Sequence, residues 1–180
     1  MKEVKIERAL TYIEPGPVTL VTSFDGVRNN VMTISWTMAI DFDGHIVITT
    51  GGWNHSFSVI METGECVVCI PPAEMAETVV DIGMVSGADI DKFSVFPVTA
   101  LPAKTVKAPL IAECIACLEC KVTDYIDDYG FIVLKVQRVV VNENAADKRM
   151  LHAVGDGTFV ADGEKFNLRE RMKAKLPPNL

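Results

Sequence analysis

Pro17-Val18-Thr19-Leu20-Val21-Thr22-Ser23-Phe24 is a run of β-branched and apolar residues, held between Pro15-Gly16 before it and Asp25-Gly26 after it. That composition reads as a β-strand leading into a hairpin turn. The chain returns through Asn29-Asn30-Val31-Met32-Thr33-Ile34-Ser35-Trp36, and Asn30 to Ala39 reads as a second strand, irregular in part. Working outward, Asp41-Phe42-Asp43-Gly44 is a turn, and His45 to Thr50 is a third strand broken by Gly51-Gly52. From His55 to Thr63 the apolar positions Phe57, Ile60 and Met61 recur at helical spacing, with Asn54 or Ser56 as cap and Gly64 as stop.

The pattern continues in the same vein. Cys66 to Ile70 is a strand closed by Pro71-Pro72, and Ala73 to Ile82 is a helix with Met75, Val79 and Ile82 on one face, ended by Gly83 and Ser86-Gly87. Three β-rich stretches follow: Val98–Ala100, Ile111–Ile126 with a bend or break, and Phe131–Val141. A last pair of short strands, Thr158–Ala161 and Lys165–Leu168, is expected around Asp162-Gly163. Many strands, tight turns, few helices and no regular strand–helix alternation predict a mainly β fold, a β-barrel with added helices. The 180 residues are expected to form a single domain, 1–180, with 165–180 as a C-terminal arm.

Composition excludes several classes of function. With 49% hydrophobic and 23% charged residues and no apolar run near the ~20 residues that cross a bilayer, no membrane span is expected. The first eight residues mix both charge signs without a signal-like apolar segment, so the cytoplasm is the expected compartment. A net charge of −7 argues against nucleic acid as a partner. The basic cluster Lys165, Arg169, Arg171, Lys173 and Lys175 reads as a solvated arm.

The five cysteines imitate a zinc-site spacing, with Cys66 and Cys69 in one pair and Cys114, Cys117 and Cys120 in another series. Both sets lie in apolar runs that read as strand, where positions three apart point to opposite faces, so buried free thiols are expected and no metal. A cysteine-ligated metal protein is the alternative. The three histidines, His45, His55 and His152, form no metal-binding pair. Neither a nucleophile elbow nor a glycine-rich nucleotide loop is present. His152 reads as structural or as a group near a nicotinamide. No catalytic side chain is therefore assigned, and a cofactor is expected to carry the chemistry. Asn29–Trp36 and Gly51-Gly52-Trp53-Asn54-His55-Ser56 each set hydroxyl and amide side chains beside an indole, which suits a flat, phosphorylated ligand.

In order and spacing, a further set of segments resembles the flavin reductase-like, flavoredoxin-type family of FMN-binding split barrels. They are Gly16–Ser23, Asn30–Trp36, Glu62-Thr63-Gly64-Glu65, Ser86-Gly87 with Asp91-Lys92-Phe93, Leu118–Val122 and Gly155–Phe159. The resemblance implies a flavin pocket with three walls. Asn30, Met32, Thr33, Ile34, Ser35 and Trp36 would lie along the flavin, with the Thr33 and Ser35 hydroxyls reaching it. Trp53, Asn54, His55 and Ser56 would take the phosphate at a helix start, and Ser86, Gly87 and Lys92 would form the third wall. Many relatives carry a basic residue where this chain has Asn54, so phosphate neutralisation is expected from His55, Lys92 or a second subunit. The resemblance further implies NAD(P)H as donor, an acceptor such as flavin, ferric iron or a redox protein, and a homodimer. A non-catalytic FMN-binding electron carrier is the other reading of the same pocket.

Overall fold

The computed structural model describes residues 16–172, 174 and 175. β1 (Thr19–Phe24) and β2 (Asn29–Ile34) form the first hairpin, paired from Thr19 with Ile34 to Phe24 with Asn29. β3 (Thr37–Ala39) and β4 (His45–Thr49) form the second. Helix α1 (His55–Thr63) then leads into β5 (Glu65–Ile70). After a 3-10 turn at Ala73–Met75 come α2 (Ala76–Met84) and the short α3 (Lys92–Val95). The remainder comprises β6 (Ala100–Leu101), β7 (Leu110–Ile111), the long strands β8 (Ala116–Ile126) and β9 (Phe131–Val141), β10 (Leu151–Ala153), β11 (Phe159–Ala161) and α4 (Arg169–Met172).

Seven strands make one antiparallel sheet in the order β2-β1-β5-β8-β9-β4-β3. The sheet curls into a half-barrel whose two edge strands are consecutive in the chain. Ser35 and Trp36 carry the chain from one edge to the other, so the single irregular strand expected over Asn30–Ala39 is instead two. Thr19 Oγ1 donates to Ile34 O at 3.1 Å and lies 3.3 Å from Thr37 Oγ1, which ties the edges at one end. Elsewhere they part, and that split is where a ligand can reach edge backbone.

Alternation along the strands supplies two cores, one on each side of the sheet. Val21, Cys66, Val68, Cys120, Ile132 and Leu134 pack with Ile60 of α1, while Leu20, Val67, Cys69 and Cys117 pack with Val79 and Ile82 of α2. The cysteine geometry follows from this alternation. Cys66 pairs in register with Cys120 and Cys69 with Cys117, one pair in each core, and all five thiols are buried and free. Cys114 sits in the turn between β7 and β8, the break foreseen within 111–126, and joins Cys69 and Cys117.

Three further expectations are corrected. α2 runs through Gly83 to Met84, because the missing side chain lets the helix lie on β2: a Cβ at Gly83 would stand 3.3 Å from Thr33 Cβ. The strand expected from Val98 begins only at Ala100. β11 pairs with β10 and not with Lys165–Leu168, since Leu151 and Ala153 have a core to enter whereas Phe166 and Leu168 are exposed. Residues 163–172 are exposed throughout, and the rest of the expected arm lies outside the described residues apart from 174 and 175. Among the described residues no helix is long and apolar enough to cross a membrane.

Candidate functional site

Two cavities of about 200 Å³ each lie at the split of the half-barrel and meet at Trp53 and Asn54. The first is the more polar. Its walls are Met32 of β2; Trp53, Asn54, His55 and Ser56 at the start of α1; Gly83, Met84, Val85, Ser86 and Gly87 at and after the end of α2; and Lys92. The second is walled by Thr33, Ile34, Ser35, Trp36 and Thr49, together with the shared Trp53 and Asn54.

α1 begins without a side-chain cap. Asn54 has extended backbone (φ −105°, ψ 128°), but its Nδ2 donates to Thr50 Oγ1 at 2.9 Å, and no side chain accepts from the helix's first amides. Ser56 does not cap either. It is buried, and its hydroxyl oxygen accepts from Asn30 Nδ2 at 2.9 Å. The capping roles expected of both residues are thus corrected, and the positive end of α1 is left facing the polar cavity.

Lys92 is only 4% exposed, in a chain where few charged groups are buried. Among the described residues the one partner of its ammonium is Ile82 O, 2.8 Å away near the end of α2. Burial holds its pKa below the ordinary lysine value, and among the described residues no carboxylate neutralises it. A buried ammonium has three protons to place, so a cation left with one acceptor at a cavity wall is a ready anion site.

Around it, small residues permit close approach. A Cβ at Gly87 would fall 2.2 Å from Asn30 Oδ1, so Gly87 serves to admit the Asn30 carboxamide. Gly87 O in turn accepts from Arg28 Nη2 at 2.6 Å.

In the second cavity the indoles dominate. Trp36 is 54% and Trp53 76% exposed, large apolar surfaces left on either side of the split. The Trp53 ring lies over Gly51, where a Cβ would come within 2.3 Å of Cζ3. The Thr33 hydroxyl lines this cavity with its proton already committed. It donates to Val79 O at 2.6 Å and fastens α2 to β2.

Of the residues singled out from the sequence, all but Asn30 line one cavity or the other, and Asn30 braces Ser56 from behind. Sequence reasoning missed Thr49, Gly83, Met84, Val85 and Arg28. Thr49 carried a signal, as the last residue of a strand before Gly51-Gly52; the others depend on how α2 docks. His152 lies apart, with Nε2 2.7 Å from Asp162 Oδ1, where the imidazole holds the Asp162 carboxyl below its usual range and ties β10 to the segment after β11.

A family model for the flavin reductase like domain matches residues 11–158. The chain belongs to the flavin reductase-like family. An uncharacterized protein of Archaeoglobus fulgidus is 34% identical over 174 residues, covering 90% of this chain and 97% of its own. Among solved flavin reductase-like structures, flavoredoxin of Desulfovibrio vulgaris superposes with a TM-score of 0.83 at 23% identity, covering 92% of this chain and 96% of its own. The FMN-binding domain of a flavin reductases-like enzyme from Shewanella baltica gives 0.76 at 25%, covering 91% and 95%. The half-barrel is therefore the flavin reductase-like split barrel expected from the sequence.

Proposed function

We propose that the chain is an FMN-binding oxidoreductase that passes electrons from NAD(P)H through the flavin to an acceptor. The observation that carries this reading is Lys92, a buried cation with one protein partner among the described residues, in a polar cavity at the uncapped start of α1 and continuous with a cavity edged by two indoles. Charge, shape and polarity run together in the order of a flavin mononucleotide, anionic at one end and flat at the other. FMN, when bound, supplies the hydride and electron transfer; the chain's residues bind, orient and exclude water.

Lys92 and the first amides of α1 hold the phosphate, with His55 and Ser86 at its rim. This answers the absence of a basic residue at Asn54, because the positive charge arrives from α3. Trp36 and Trp53 flank the ring, and the edge backbone around Ser35 meets its polar rim. No side chain needs to act as an acid or base. The exposed apolar residues Trp36, Met38, Ile40 and Phe42 recur at every second position from the β2–β3 connection onward; they support a homodimer closing over this edge.

Protein incubated with FMN, desalted and scanned is expected to retain the flavin spectrum, and to bleach when NADH or NADPH is added without oxygen. A colourless protein overturns the reading. A coloured protein that no pyridine nucleotide reduces restricts it to an electron carrier.

A further inference from the structure

Ser56 is only 2% exposed, yet it forms part of the wall of the polar cavity. It is the second residue of α1, so its backbone N–H is one of the amides left over at the helix start. The next amide, Phe57 N, turns back to Asn54 O at 3.0 Å, whereas His55 N and Ser56 N have no acceptor among the described residues. The side chain is short of a partner in the same sense. Its oxygen accepts from Asn30 Nδ2 at 2.9 Å, and its proton has no acceptor among the described residues. A hydroxyl turns its proton to whatever acceptor lies in reach. With an amide donor already on one lone pair, the direction towards Asn30 is closed to that proton. Among the described residues no carboxylate lines the cavity, so no anionic side chain is there to receive it. A buried donor left unpaired is costly, and an anion in the cavity removes the cost.

Asn30 is itself held in place. It lies near the start of β2, paired with Ser23 of β1, and is buried. Its carboxamide occupies the space that Gly87 leaves, where a Cβ would fall 2.2 Å from Oδ1 and 2.6 Å from Nδ2. Arg28 donates Nη2 to Gly87 O at 2.6 Å. The β1–β2 hairpin therefore carries both the group that holds this glycine and the carboxamide that packs against it.

We propose that Asn30 is a positioning residue: its carboxamide makes the Ser56 hydroxyl a one-way donor and leaves that proton, with the Ser56 N–H, for the phosphate of the ligand. The proposal rests on the flavin reading of this cavity and extends it from charge to hydrogen-bond polarity. Lys92 supplies the charge; Ser56 supplies the direction. The terminal oxygens of an ionised phosphomonoester accept and do not donate, so they match this pair of donors. The hydroxyl that ends riboflavin is neutral and gains little there.

The test is whether Asn30 acts through Ser56. FMN and riboflavin affinities, read from flavin fluorescence, are compared for the unaltered chain, Ser56→Ala, Asn30→Leu and the double variant. Ser56→Ala should weaken FMN about tenfold, and Asn30→Leu, which keeps the side-chain shape and removes its polarity, about fivefold. In the double variant Asn30→Leu should add less than twofold to the loss from Ser56→Ala, because the group it orients is gone. Riboflavin should change by less than twofold throughout. Unchanged FMN affinity in Asn30→Leu, equal losses for FMN and riboflavin, or a loss from Asn30→Leu that persists in full beside Ser56→Ala overturns the proposal. Asn30→Asp decides the matter if Asn30→Leu does not fold. Its carboxylate only accepts, so it draws the Ser56 proton out of the cavity and should weaken FMN more than tenfold. Beside Ser56→Ala that effect should shrink at least threefold; an undiminished effect is charge repulsion alone and overturns the proposal. An unaltered chain that retains no FMN rejects the flavin reading, whereas FMN retention with additive variants rejects only the role of Asn30.

Discussion

Glu119 and Lys92 are both buried ionisable side chains, and the protein treats them in opposite ways. Glu119 is completely buried on β8 and is answered from all sides: the Lys104 and Thr105 amides, the Thr105 hydroxyl and the Arg138 guanidinium all donate to it. Burial alone would raise its pKa, but those donors outweigh burial and hold it at about 2. Lys92, nearly as buried, has one carbonyl, and burial depresses its pKa unopposed. A charge whose partners all come from the chain is a fixture of the fold; a charge left short of partners beside a cavity is an invitation to a ligand. Glu119 clamps the 104–105 segment to the sheet, and Lys92 waits for an anion.

The largest effect should come from dismantling the complete site. Glu119→Leu strands two amides and a guanidinium, and should cost about 3–5 kcal/mol in urea unfolding; a loss under about 1 kcal/mol would show that the clamp is dispensable. Its pH signature follows. The folded pKa of Glu119 lies below its ordinary value of 4.5, so its contribution is fully present above pH 4.5 and is lost as pH falls towards about 2. Thermal melts across that window should steepen in the unaltered chain relative to Glu119→Gln.

Breaking the incomplete site should do the reverse. Lys92→Met removes a desolvated charge, so stability should hold within about 1 kcal/mol or rise. FMN should nevertheless bind at least tenfold more weakly, a loss of ~1.4 kcal/mol, while riboflavin, which lacks the phosphate, changes little. Equal losses for both ligands would remove Lys92 from the phosphate. The smallest effect is expected from Thr33→Val, which deletes the bond to Val79 O and should cost about 1 kcal/mol of stability, with FMN affinity changed less than by Lys92→Met. A large affinity loss there would return Thr33 to the ligand.

The sequence displayed the strands that obey simple rules and concealed what depends on docking. β9 lies where alternation placed it, and α1 ends at Gly64, whose φ of 68° suits a residue without a side chain. The break at Ser35-Trp36 was hidden because nothing local distinguishes a strand that continues from one that crosses between two sheet edges. The cavity walls were legible as clusters of hydroxyls, amides and indoles. Their roles were not: that Thr33 commits its proton to Val79 O and Ser56 its oxygen to Asn30 shows only once α1, α2 and β2 are packed together. Lys92 was legible through the resemblance carried by Asp91-Lys92-Phe93, as part of the third wall and one of several candidates for the phosphate. Its distinction is burial, which is a property of the assembled fold.

The facing cysteines of β5 and β8 give the molecule a built-in clock. Cys66 and Cys120 report on one core and Cys69 and Cys117 on the other, and each thiol is sealed from solvent. Contact with Cys120, and then burial, raises the pKa of Cys66, and burial raises that of Cys69, so a thiol reagent has to wait for the ladder to open. If the two sides of the sheet come apart at different rates, labelling will proceed in two phases, and mass spectrometry of the modified peptides will tell which side yields first.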